Sequence, residues 1–216
     1  MAVIALGSVA FALRLVAALG TGAFHHPELY EYHTVAQSLV AGHGFVFVSH
    51  GGVPYYSLEA PLYPGQCALV YALTQGSVTA LLVLQMLVGA LTAVLVAAIG
   101  TRLFNRQAGL AAGLLVAAHP GLIVYASLKA HALTMDAFSF CVVLWQFLQL
   151  GRERSVRRSV WAGLALGLSL LQRPTAIAFL PVVAAWLFLT AVRSQRRESV
   201  KQIVIVSACA FLVILP

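Results

Sequence analysis

Charge is what this sequence has least of. Only 9% of its 216 residues are Asp, Glu, Lys or Arg, and 61% are hydrophobic; a soluble domain carries roughly a quarter charged residues. That scarcity excludes a soluble globular fold, which would have too few polar residues to coat its core. Acid is scarcer than base, with 6 Asp+Glu against 13 Lys+Arg. The bases do not gather into a nucleic-acid-binding face. They fall in short clusters between apolar runs, at Arg102 and Arg106, at Arg152, Arg154, Arg157 and Arg158, and at Arg193, Arg196, Arg197 and Lys201, so no nucleic-acid partner is expected. Cysteine is nearly absent: Cys67, Cys141 and Cys209 are isolated in apolar stretches without metal-ligand spacing and read as inert thiols packed among helices. No basic segment precedes the first apolar run, and Arg14 interrupts it, which excludes a cleaved signal peptide and leaves a first membrane helix. Within that helix Arg14 reads as a helix-pairing or interface residue.

What is present is a series of apolar runs, at roughly 2–20, 78–101, 108–128, 134–150, 159–172, 175–192 and 202–216. The bilayer is therefore the solvent, and the expected fold is all-α, a multi-pass bundle of about seven transmembrane helices forming one domain over 1–216. The last run is still apolar at Pro216, so the chain is expected to belong to a longer protein. The stretch 61–75 is apolar too, but as a helix it reaches only about 22 Å, short of the ~30 Å hydrocarbon core. Pro61, Pro64, Gly65 and Gln66 also crowd its start. It reads as a helix lying in the interface, or dipping into the membrane and returning. With that choice the three basic clusters share one side, and 21–77, which has no Lys or Arg, becomes a long loop on the other. If 61–75 crossed, Arg102 and Arg106 would change sides. The positive-inside rule selects the first arrangement: N-terminus in the cytoplasm of an inner (plasma) membrane protein, the first loop on the external or periplasmic face.

Glu28, Glu31, Glu59, His131, Asp136 and Arg173 then share the external face. The segment from Pro27 is expected to form an amphipathic helix over about 28–42, with Pro27 at its first position and Glu28 in its first turn. At about 100° per residue, Leu29, Tyr32, Val35, Ala36, Leu39 and Val40 share its apolar face, and the helix lies on the membrane with its carboxylates at headgroup level. Taken singly, each acid has an ordinary explanation: a helix start for Glu28 and Asp136, a side chain reaching water for Glu59. Two acids among His and Tyr, in a loop without any base, point to a site. A carboxylate at the membrane boundary is costly without a purpose. Arg173 suits planar recognition of phosphate oxygens. His25, His26, His33, His43 and His50 crowd the first loop without HxH or HExxH spacing, and read as polar residues rather than zinc ligands.

Together these segments resemble a known family. Pro27-Glu28-Leu29-Tyr30-Glu31-Tyr32-His33-Thr34-Val35-Ala36, then Leu39 and Gly42-His43-Gly44-Phe45, then Glu59-Ala60-Pro61-Leu62-Tyr63-Pro64, Arg102-Leu103-Phe104, Thr134-Met135-Asp136 and Gln172-Arg173-Pro174 follow, in order, the pattern of the GT-C superfamily of glycosyltransferases. The likeness is to family 39, which includes protein O-mannosyltransferases and aminoarabinose lipid A transferases. The resemblance implies an inverting transfer from a polyprenyl-phosphate sugar to a lipid, glycan or protein acceptor. It assigns Glu28, or alternatively Glu31, as general base, and Arg173 with Lys129 to the donor phosphate. Glu59, Asp136 and His131 would orient the acceptor or hold a divalent cation; no other cofactor is implied. The family's catalytic acid is usually Asp, so Glu28 is a departure: its extra methylene moves the carboxylate by roughly an ångström. Two readings from other classes stand beside this one. A transporter or flippase would place polar groups near the midplane on broken helices. A non-catalytic relative would only bind a lipid-linked glycan.

Overall fold

The computed structural model describes residues 2–48, 52–56, 59–189 and 196–215; His50, Ser57, Leu58 and Arg193 lie outside them. The described chain is built of α-helices with four two-residue strands. In order the elements are α1 (Ala2–Thr21), β1 (Glu28–Leu29), α2 (Glu31–Val40), β2 (Phe47–Val48), β3 (Pro54–Tyr55), α3 (Leu62–Thr74), α4 (Val78–Leu103), α5 (Arg106–Ala118), α6 (Pro120–Ser127), β4 (Lys129–Ala130), α7 (Leu133–Arg152), α8 (Val156–Gln172), a 3-10 turn (Pro174–Ala178), α9 (Phe179–Leu189) and α10 (Arg196–Ile214). The fold is an all-α membrane bundle. Among the described helices α1, α4 and α7 are each long and apolar enough to cross a bilayer, and the pair α5–α6, bent by 53°, makes a fourth candidate span.

Local chemistry sets the boundaries. Ser77, Asn105 and Ser155 cap α4, α5 and α8, accepting from the N–H of Ala80, Ala108 and Arg158; such side chains satisfy donors that a helix start leaves unpaired. His119 does the same for Leu122, and Pro120 follows it at the first position of α6. That proline has no N–H to continue α5, so the run read as one span over 108–128 is broken there. The helix expected from Glu28 begins instead at Glu31. Glu28 donates its backbone N–H to the carbonyl of Leu128 at 3.0 Å, and β1 pairs in parallel with β4, Glu28 opposite Lys129. A residue held in a ladder cannot also start a helix, and Tyr30 remains extended.

The residues group into two compact units, Met1–Phe138 and Ser139–Pro216. In the first, α5 lies antiparallel on α4 through Gly109 and Gly113. A Cβ at Gly109 would fall 2.5 Å from the Ala97 carbonyl oxygen, and one at Gly113 would fall 2.9 Å from that of Ala93. Small residues four apart let membrane helices approach to backbone contact. Arg14, fully buried, ties α1 into the same cluster: its Nη1 donates to Ala10 O at 2.8 Å and to Ala117 O at 3.3 Å. In the second unit, Gly163 faces Val206 and Cys209, while Gly167 faces Ala210 and Val213. The pairing advances in the same direction along both helices, so α8 and α10 are parallel. Val143, Phe147, Leu150, Leu166, Leu187 and Val206 form its core.

Candidate active site

The first unit gathers most of the acids read from the sequence. β4 holds Lys129 opposite Glu28, and the side chains follow: Lys129 Nζ lies 2.7 Å from Glu28 Oε2. The same ammonium donates to the Tyr30 hydroxyl at 3.0 Å, and that hydroxyl donates to Glu28 Oε2 at 3.2 Å. Lys129 also stands 5.4 Å from the ring centre of Tyr125, where the ring face attracts a cation. The hydrogen bond from Lys129 is the main reason that the Glu28 carboxyl is held below the usual carboxylate range. The reciprocal bond to Glu28 raises Lys129 above the usual lysine range. Glu28 is therefore an anion throughout the neutral range, and a weak base while this partner stays.

The other acids converge on Tyr32, in the first turn of α2. Its hydroxyl is hydrogen-bonded to Glu59; burial first, then the charges of Glu59, Glu31 and Asp136, push the phenol well above its usual range. The charge order places Glu59 foremost. Asp136 is buried in the first turn of α7. His131 joins the two groups. Its ring meets Tyr30 at 5.0 Å, Tyr125 at 5.1 Å and Tyr32 at 5.4 Å between centroids, each edge to face. Its Nδ1 accepts the Leu133 N–H at 3.1 Å, which leaves the proton of the neutral ring on Nε2.

Glu28 and Lys129 thus form one pair; Glu31, Glu59 and Asp136 surround Tyr32; and His131 lies between. Sequence reading assigned no role to Tyr30 or Tyr32, and had placed Tyr32 on the apolar face of α2. A tyrosine presents an apolar body and a polar tip, so facing the core and bonding a carboxylate are compatible. Elsewhere in the first loop, His33 Nδ1 lies 2.9 Å from the Tyr71 hydroxyl, and burial lowers its pKa. Among the described residues no group of three or more His, Cys, Asp or Glu side chains could share a metal ion. Arg173 belongs to the second unit, where it is exposed at the end of α8; its N–H closes that helix on Ser169 O at 2.8 Å, and Pro174 prevents its continuation.

Known proteins bear on this arrangement at one point. The dolichyl-phosphate-mannose-protein mannosyltransferase family matches the chain over residues 59–216, a stretch that includes Glu59, Lys129, His131, Asp136 and Arg173 and begins after Glu28 and Glu31. No curated protein and no solved structure matches.

Proposed function

Since the chain belongs to the dolichyl-phosphate-mannose-protein mannosyltransferase family, and is thus a membrane glycosyltransferase of the GT-C type, we propose that it moves a sugar from a polyprenyl-phosphate donor to an acceptor hydroxyl or amine on the external face of the membrane. The observation that carries this reading is the gathering of Glu28, Lys129, Tyr32, Glu59 and Asp136 around His131. With Glu31, four carboxylates and one cation meet there, in and beside a first loop that has no Lys or Arg of its own. In this reading α2 and α3 lie at the external interface, and the basic turns face the cytoplasm.

The pairing of Glu28 with Lys129 gives the mechanism its order. Each has a role in the reaction, and the two roles conflict while they are bonded to each other. An incoming phosphodiester competes for the ammonium. As Lys129 turns toward the phosphate, Glu28 loses the bond that depressed its proton affinity and becomes a stronger base. The acceptor O–H or N–H then gives its proton to Glu28, and the acceptor atom attacks the anomeric carbon from the face opposite the phosphate. The bond from that carbon to the phosphate oxygen breaks, its electron pair leaving with the lipid phosphate. Lys129 stabilises the departing charge, so no general acid is required. Glu59, held by Tyr32, and Asp136 orient the acceptor. Glu31, at the start of α2, is the alternative base.

The test is transfer from a polyprenyl-phosphate sugar in proteoliposomes. Glu28→Gln is expected to lower kcat by a factor of about 10²–10⁴, the usual contribution of a general base, and Glu31→Gln to leave it nearly intact. The reverse outcome moves the base to Glu31, and full activity in both variants rejects the mechanism.

A further inference from the structure

We propose that Gln85, deep in α4, is a positioning residue whose amide holds Lys129 where it meets Glu28. Gln85 is fully buried, in a helix otherwise rich in Leu, Val and Ala. A polar side chain in such a place is costly unless its hydrogen bonds are made. Here they are made on both sides of the amide. Nε2 donates to the Tyr125 carbonyl at 3.1 Å and to the Lys129 carbonyl at 2.8 Å, and the Tyr63 hydroxyl donates to Oε1. Two N–H donors and one carbonyl acceptor are the whole inventory of a Gln amide.

The identity of the acceptors carries the argument. α6 ends at Ser127, and the last carbonyls of a helix have no donor from within it. Gln85 supplies one to Tyr125 from the neighbouring helix. The second acceptor belongs to β4, whose parallel bridge sets Lys129 opposite Glu28. A lysine side chain is long and could reach Glu28 from many backbone placements; what the amide fixes is the backbone. On its other side Tyr63 is buried in α3 and meets the Tyr32 ring edge to face at 5.0 Å. One amide thereby connects α3, α4 and β4, and through them the Glu28 pair and the Tyr32 group.

Disulfide formation tests this without turnover. In the full chain, with Cys67, Cys141 and Cys209 replaced by Ala, cysteines are introduced at Glu28 and Lys129. Bridge partners lie roughly 4.8 Å apart, within disulfide reach, and the ion pair is absent, so the rate reads geometry alone. A second pair, at Phe47 and Tyr55, which face each other in the β2–β3 ladder, reports the integrity of the first loop without involving Gln85. Gln85→Leu and Gln85→Glu are expected to slow the 28–129 disulfide by roughly three- to thirtyfold and to leave the 47–55 disulfide unchanged. Glu keeps the size and the acceptor, but its ionised form has no donor for Tyr125 and Lys129. Acidification slows both disulfides by protonating the thiols, so the 28–129 rate is read as a ratio to the 47–55 rate at the same pH; that ratio is expected to recover in part in Gln85→Glu and not in Gln85→Leu. A wild-type rate in either variant overturns the proposal. So does parallel loss of both disulfides, which would make Gln85 a general support of the fold. The catalytic consequence rests on the roles proposed for Glu28 and Lys129, but the crosslink can succeed where a transfer assay fails, so the two are distinguishable.

Discussion

Gly109→Ala is expected to destabilise the protein although alanine is the better helix former. A Cβ at this position would lie 2.1 Å from Thr101 Oγ1, 2.5 Å from the Ala97 carbonyl oxygen and 2.5 Å from the Thr101 nitrogen. A hydroxyl can rotate away; backbone atoms cannot. Carbon and oxygen rest at about 3.3 Å or more, so α5 must withdraw from α4 by close to an ångström or keep the overlap. Overpacking of this kind costs about 1–3 kcal/mol, and the rigid neighbours place Gly109 toward the upper end. Alanine returns roughly 1 kcal/mol of helix propensity. The net loss is about 1–2 kcal/mol, or roughly 2–8 °C in Tm for a chain of this size. Gly65 supplies the contrast, since nothing lies within 4 Å of a Cβ there. Gly65→Ala in α3 is expected to raise Tm by roughly 1–4 °C. Thermal unfolding of the purified protein in one detergent, followed by circular dichroism, compares them. A Gly109→Ala protein as stable as Gly65→Ala would refute the reasoning. Adding Gly113→Ala tests it further: the same withdrawal relieves both contacts, so the double variant should lose less than the sum of the two.

Two other outcomes follow from the site. A double-mutant cycle of Tyr32→Phe and Glu59→Gln, read in kcat/KM for transfer, should show coupling near the low end of the roughly 1.5–3 kcal/mol typical of hydrogen bonds to charged groups, because neither residue is fully buried; additive effects would remove Glu59 from the influence of Tyr32. The ion pair predicts a pH profile. Glu28 is depressed, so its contribution is present above the ordinary carboxylate value of about 4.3 and is lost as pH falls through the lower folded value. Lys129 is raised, so its contribution is complete below the ordinary lysine value of about 10.4 and disappears as pH rises through the higher folded one. The Tm difference between wild type and Lys129→Met should therefore be flat between roughly pH 5 and 10 and shrink below that range. A maximum confined to pH 6–7 would implicate a histidine instead.

Apolar runs made most of the helices legible in the sequence, and the caps that the structure shows agree with them. Ser77, Asn105 and Ser155 stand where helices begin, and the glycines of α5 and α8 recur at the four-residue spacing that marks close helix pairs. The His119-Pro120 step is also visible in the sequence, as a Pro inside a helical pattern, but the run around it is apolar enough to read as one span. What could not be read was pairing at long range. Glu28 and Lys129 are adjacent only because β1 meets β4, and no local signal in either dipeptide announces a parallel bridge between two-residue strands. Local rules for Glu28 favoured a helix start after Pro27, and the tertiary hydrogen bond to Leu128 overrode them.

The residues missed near the site share one physical trait. Tyr32 and Gln85 sit on faces that periodicity assigns to the core, and that assignment is right: Gln85 is fully buried and Tyr32 partly so. Periodicity measures where a side chain goes and is silent about what its polar atoms do there. In a soluble protein a buried Gln or Tyr is common enough to carry little information. Inside a membrane helix the same burial demands partners, because the surrounding lipid can supply none. A glutamine buried within α4 was thus a stronger signal than any one carboxylate of the exposed loop, where water satisfies a charge at little cost. For a chain this poor in charge, the search for positioning groups begins with the polar residues that hydropathy treats as noise within the spans, and only then turns to the acids that stand out in the loops.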